Sequence, residues 1–344
     1  MRRATVPAMP NAHSHAFQRA LRGVGEKPTA ERDSFWTWRD VMYDLAGSLD
    51  PESLRAACAD AFAEMRAAGY GAVGEFHYLH HPEGMTEAVV AAAAGAGLPL
   101  VLLPAAYHDG GHPRFRDASL ETFLARVEAL GAAGVAAHSV RAVPPGWLTE
   151  LAAYADDRGV VRHVHAAEQP REVEECRAAH GCSPIELLHR TGFLGPRTSV
   201  VHATHVSNRD VDLLADTQTI VVLCPTTEGN LGDGHAPALR LAEAGVRLAI
   251  GSDSNVRIDP FEEVRELETN ARRESLSRTA LLARGGDLWG ELARNGAASL
   301  GLDATGTIEI DLDHPQLAGV PAGALPWALA TCASSSVVAR PASP

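Results

Sequence analysis

Cysteine is scarce in this chain, and none of it is spaced for pairing. Among 344 residues there are five, Cys58, Cys176, Cys182, Cys224 and Cys332, with no CxxC. A scattered, odd set excludes a dense disulfide framework and points to a reducing compartment, so a cytoplasmic location is expected. Positive charge is also short. Lys and Arg number 30 against 43 Asp and Glu, a net charge of −13. That balance gives no electrostatic case for nucleic acid or an anionic membrane as partner. An anionic small molecule would need a few placed arginines, working against the overall field.

Long apolar runs are missing too. The N-terminus, MRRATVPAMPNAHSH, has arginines but no apolar core, so no secretory signal is expected there. The most apolar window, Val89 to Tyr107, is interrupted by Gly95, Gly97 and Pro99. A helix end, a tight turn and a buried strand explain it better than a membrane span. Also absent is a Gly-x-Ser-x-Gly elbow, so no serine nucleophile is indicated.

What is present is a soluble composition, 46% hydrophobic and 21% charged, long enough for a sizeable core. Strand-like apolar runs alternate with amphipathic stretches. The runs are ATVPAMPNAH, GAVGEFHY, LPLVLLPAAY, GVAAHSVRAV, GVVRHVHAAE, TSVVHATH, TIVVLCP and VRLAIGSDS. Helices are expected in SLDPESLRAACADAFAEMRAAG, SLETFLARVEALG, PGWLTELAAYADDRG, SNRDVDLLADTQ and PFEEVRELETNARRE. In the first of these Pro51 is placed for the opening turn and Gly69 for the stop. Eight strands, each followed by helix or loop, predict an α/β fold, a (β/α)8 TIM-like barrel. A doubly wound open sheet is the alternative. It usually carries a glycine-rich loop after its first strand. Here that position holds NAHSHAFQR, which has no glycine.

In such a barrel the chemistry sits at the C-terminal ends of the strands. The unusual polar residues fall there: His13 and His15 on the first strand, His165 and Glu168 on the fifth, His202 on the sixth, Asp253 in GSDS on the eighth. Taken singly, each has a bland reading as a hydrogen-bonded histidine or a helix cap. Together, three imidazoles and one carboxylate on one face match a Zn²⁺ shell, with Glu168 and His202 beside it as acid–base groups. Arg141 interrupts the apolar run HSVRAV, which argues for a ligand role. In FWTWRD, Trp36 and Trp38 are placed to cover the barrel mouth around Arg39.

The motifs PNAHSHAFQRALRG, DSFWTWRDVMY, GEFHYLHH, HSVRAV, HVHAAEQ, VHATH, LCPTTEGNLGDG and GSDSNV span most of the chain. Through them the sequence resembles the amidohydrolase superfamily, in its mononuclear deaminase branch. More narrowly it resembles the formimidoylglutamate deiminases (N-formimino-L-glutamate iminohydrolases) of histidine degradation. HxH and SD occur across the superfamily; AFQRA, FWTWR, GEFHYLHH and PTTEGNLGDG are far more specific to this branch.

The resemblance implies a metal held by His13, His15, His165 and Asp253, one per chain, Zn²⁺ or else Fe²⁺. It implies catalytic roles for Glu168, His202 and Asp253. It implies substrate contacts from Gln18, Arg39, Tyr107, His138 and Arg141. His163 is then structural or supports the ligands from deeper in the strand. The reaction would replace a formimino C=NH with C=O and release ammonia, in a small anionic amidine. Asp253 would take the proton of water, Glu168 would protonate the imine nitrogen, and His202 would stabilise the oxygen or orient the water. Arg39 and Arg141 could each fork onto one carboxylate. Other readings are a deaminase of another amidine or heterocyclic base, and a truncated metal-binding pseudoenzyme. A homodimer is a further implied partner state.

Two departures bear on domain organisation. The family carries some tens of residues before HxH, part of a small β-sandwich completed by the C-terminal segment. Here twelve residues precede His13, and the tail is shortened before DHPQLAG. The expectation is a catalytic barrel over 1–303, a C-terminal remnant over 304–344, and a sandwich absent or incomplete. The end, ARPASP, is expected to be disordered.

Overall fold

A computed structural model describes residues 2–28, 31 and 33–342. Its strands, in chain order, are β1 (Arg3–Pro7), β2 (Met9–Ser14), β3 (Tyr70–His77), β4 (Leu100–Ala106), β5 (Gly134–Ser139) and β6 (Val161–Ala166). They continue as β7 (Thr198–His202), β8 (Ile220–Leu223), β9 (Arg247–Ile250), β10 (Thr307–Asp311) and β11 (Val338–Arg340). Strands β2 to β9 form one eight-stranded sheet in sequential order, each neighbouring pair parallel. A parallel bridge between Ser14 and Asp253 brings the two edges together. Two hydrogen bonds seal it: His15 N–H donates to the Asp253 carbonyl at 2.9 Å, and Asp253 N–H to the His13 carbonyl at 3.0 Å. The result is the nearly closed (β/α)8 barrel expected from the alternation of apolar runs and amphipathic stretches.

The helices form where the end signals stand. Asp50 accepts from Ser53 N–H, Pro51 opens the helix Pro51–Ala68, and Gly69 ends it in the left-handed region at φ 104°. The apolar window resolves into the helix Met85–Ala96, a left-handed Gly97 and the buried strand β4. Among the described residues no helix is long and apolar enough to cross a membrane. Further helices lie outside the stretches read as helical, among them Phe35–Ser48 and Leu288–Ser299. The second packs on β2 and β9.

Two expectations are corrected. ATVPAMPNAH is two strands: β1 leaves the barrel to pair antiparallel with β10, with Ala4 opposite Ile310. The break falls at Ala8, whose N–H turns to the Gly306 carbonyl. Antiparallel to β10 lies β11. Ser343 and Pro344 lie outside the described residues. Finally, the fourth barrel strand stops at Ser139, so Arg141 sits in the turn beyond it. The three-stranded sheet, order β1-β10-β11, buries Ile308 and Ile310.

Candidate metal centre and active site

The C-terminal ends of β2, β6 and β7 carry His13, His165 and His202, and the segments just past β2, β6 and β9 carry His15, Glu168 and Asp253. Glu75 on β3 accepts from Ala16 N–H at 2.7 Å and so fixes the chain just past His15. The buried carboxylate of Glu172 accepts from Ala167 N–H at 3.2 Å and Glu168 N–H at 3.1 Å, holding the bend after β6. That bend places Ala167 at φ 56°. His202, Ala203 and Asp253 also lie in the left-handed region, at 75°, 50° and 45°. Non-glycine residues seldom adopt this backbone, and clusters of them mark sites where geometry outranks local comfort.

The four expected ligands converge. His13 and His165 Nε2 are 3.0 Å apart, and His15 and His165 Nε2 are 3.3 Å apart. Asp253 Oδ1 is 3.3 Å from His13 Nε2 and 3.4 Å from His15 Nε2. Ligands about 2.0–2.1 Å from a tetrahedral centre are separated by roughly 3.3 Å, so the donor set fits a divalent cation. The tautomers agree. His15 Nδ1–H donates to the Phe76 carbonyl and His165 Nδ1–H to the His138 carbonyl, each at 2.8 Å. Both therefore turn bare Nε2 lone pairs toward each other, an arrangement that a shared cation stabilises. Burial supports the neutral form: it lowers the His13 pKa to about 3 and drives His165 well below its ordinary value. Burial works against charge on Asp253, but the hydrogen bond and charge of His13, with His202 and His15, outweigh it and hold the carboxyl below the usual range.

Glu168 and His202 stand beside this cluster. Glu168 Oε1 is 3.7 Å from His202 Nε2, and Asp253 Oδ2 is 3.9 Å from the same nitrogen. Burial raises the Glu168 pKa to about 7, against the pull of His202 and Arg141. Burial opposes a charged His202, yet Glu168, Glu228 and Asp253 together lift it to about 10. The pair can hold one proton and move it.

Gln18, Arg39, Tyr107, His138 and Arg141 line a single cleft with His15, His165, Glu168, His202 and Asp253. Gln18 Nε2 donates to the Tyr78 hydroxyl at 2.8 Å. Among the described residues its buried Oε1 has no partner, nor have Nε of Arg39 and Arg141. His13 lies beneath, fully buried. His163 is kept apart from the cluster, its Nε2–H donating to the Ser299 carbonyl at 2.9 Å.

Sequence reasoning assigned no role to three residues here. Glu228 accepts from His202 Nδ1–H at 3.3 Å and from Cys224 N–H at 2.9 Å. It lies within PTTEGNLGDG, where an acid three residues past a strand-ending proline was the available signal. Glu172 had only its place in a helix first turn. Arg171, also on the cleft, had none.

A parallel barrel with this His3Asp cluster at its C-terminal face defines a metal-dependent hydrolase. The Amidohydrolase family model matches residues 5–311, and the chain belongs to that family. Among curated relatives, formimidoylglutamate deiminase of Pseudomonas aeruginosa is 39% identical over 329 residues, spanning 88% of this chain and 72% of that protein. A 5-methylthioadenosine/S-adenosylhomocysteine deaminase of Natronomonas pharaonis is 29% identical over 334 residues, 91% of this chain and 74% of that one. Among solved structures, an amidohydrolase of Brucella melitensis aligns with TM-score 0.86 at 33% identity, covering 98% of this chain and 85% of that one. An adenosine deaminase of Xanthomonas campestris with bound zinc aligns at TM-score 0.84 and 23% identity, covering 98% and 78%; this likeness concerns the fold alone.

Proposed function

We propose that the protein hydrolyses N-formimidoyl-L-glutamate to N-formyl-L-glutamate and ammonia. The observation that carries this reading is the shared cleft, where Arg39 and Arg141 face the same space as the His13–His15–His165–Asp253 cluster. Two guanidiniums suit a dicarboxylate and serve a neutral heterocycle poorly. The 39% identity to a formimidoylglutamate deiminase supports the same substrate.

His13, His15, His165 and Asp253 would hold one divalent metal, Zn²⁺ on this reading, with Fe²⁺ as the alternative. When bound, the metal would lower the pKa of water toward 7 and so supply a nucleophile near neutral pH. The chain's own groups do the rest. Asp253 accepts the proton lost from water. Glu168, kept partly protonated by burial, delivers one proton to the imine nitrogen; of the two protons released by water, one becomes the second proton on that nitrogen, which leaves as ammonia, and the other restores Glu168. His202, charged and fixed by Glu228, stabilises the developing oxyanion. Arg141 takes a substrate carboxylate, and Gln18, Tyr107 and His138 position the formimino end.

In this reading the barrel, residues 1–303 less β1, is the catalytic unit, and the sheet shared by β1 and residues 304–344 supports it. The reaction belongs to histidine degradation. The five unpaired cysteines favour the cytoplasm. Ammonia release from formimidoylglutamate, set beside guanine and cytosine, tests the assignment. Turnover of formimidoylglutamate alone is expected. Faster turnover of either base overturns it.

A further inference from the structure

Trp36 gathers three like charges. The guanidinium carbon of Arg171 lies 4.7 Å from its ring centroid, that of Arg39 4.8 Å, and that of Arg141 5.7 Å. Each cation is favoured by the indole face, but the three repel one another at this range. An anion placed among them relieves that repulsion.

Arg171 is also at odds with its own helix. It is the second residue of Pro170–His180, at the end where the backbone already presents positive partial charge. Its acidic neighbour Glu175 pairs with it at 2.6 Å, one turn on. That pair has the cation N-terminal to the acid, the weaker order on a helix, and its side chains are 61% and 50% exposed. It is readily exchanged for another carboxylate. Arg141, by contrast, is 17% exposed and stands 3.4 Å from Glu168, near the reacting centre.

We propose that Arg171, carried over Trp36, is a specificity-determining residue that recognises the substrate carboxylate farther from the formimino group, together with Arg39. The proposal rests on the dicarboxylate reading above. The two carboxylates of a glutamate skeleton are about 5 Å apart, four carbon–carbon bonds of about 1.5 Å in zigzag. Arg141 near the reaction and Arg39 with Arg171 toward the mouth suit such a pair. Trp36 is a positioning residue that keeps the outer cations in register.

The test compares formimidoylglutamate with formimidoylglutamine, whose distal group is a neutral amide. Arg171→Met should reduce the preference in kcat/KM for the dicarboxylate by about 2- to 5-fold, mostly through KM, the scale for a half-exposed ion pair. Glu175→Gln frees Arg171 and should shift the preference the opposite way. Trp36→Leu should weaken both substrates' discrimination in the direction of Arg171→Met. Calorimetry with glutarate and butyrate reads the same site without turnover: Arg171→Met should weaken glutarate several-fold more than butyrate. If the parent protein turns over no formimidoylglutamate, the functional reading fails, and the glutarate measurement still judges Arg171. Equal effects of Arg171→Met on the charged and neutral ligands, or none on either, overturn the proposal.

Discussion

Arg141 Nη2 lies 3.4 Å from Glu168 Oε2, so the cation assigned to the substrate also touches the carboxyl assigned to proton transfer. On the proposed roles, one residue would couple binding to chemistry. Arg141 favours the ionised form of Glu168, opposing the burial that raises its pKa to about 7. Arg141→Met removes that opposition, so the Glu168 pKa rises. A proton-donating Glu168 loses its proton as pH increases through its pKa. The alkaline limb of kcat should therefore move to higher pH in the variant. In the same variant kcat/KM for formimidoylglutamate should fall roughly 30-fold or more, the scale of a lost partner in a desolvated ion pair. A pH profile over the neutral to alkaline range checks both. An unshifted limb would separate Arg141 from the proton carrier.

Glu228 gives a second test. It fixes His202 through Nδ1 and helps keep that imidazole charged. Glu228→Gln keeps the shape and removes the charge. The His202 pKa should fall, and kcat should drop by roughly tenfold or more, as for other lost partners of an active-site histidine. The metal content should hold, because His202 is not one of the four ligands. Steady-state kinetics with elemental analysis decides it; unchanged kcat would leave Glu228 a structural acid only.

The small sheet should matter to stability and not to chemistry. Ile310 on β10 is fully buried beneath β1. Ile310→Ala should cost about 2–5 kcal/mol. Denaturant unfolding should show this loss, with kcat per folded molecule unchanged. A kcat that falls with stability would tie the sheet to the active site.

Much of this architecture was legible in the sequence, for a physical reason. Strands of a parallel barrel are buried on both faces and so read as short continuous apolar runs, as in TIVVLCP and TSVVHATH. Where a run ends was less legible. The apolar character passes smoothly through Ala8, and only pairing with residues 307–311, far away in the chain, removes β1 from the barrel. The candidate ligands were legible because His13, His15 and His165 stand at or just past strand ends, where direction follows from the alternation of faces, and Asp253 follows the last barrel strand. Glu228 reaches His202, and Arg171 the cleft, from helices, whose rotation about their axes the local sequence does not set. The resemblance to a family supplied the roles of Gln18, Tyr107 and His138, which spacing could not.

The four-ligand centre underlies every step above, and the metal content of His165→Ala tests it most directly. His165 Nε2 lies 3.0 Å and 3.3 Å from the two HxH nitrogens, so its loss leaves the shell open. Elemental analysis should find close to one divalent metal per chain in the parent protein and in Glu168→Gln, which lacks only the proton carrier. In His165→Ala most of that metal should be lost, because a three-ligand remnant binds far more weakly. Full metal stoichiometry in His165→Ala, with normal ammonia release, would contradict the assignment of His165 as a ligand and the centre built around it.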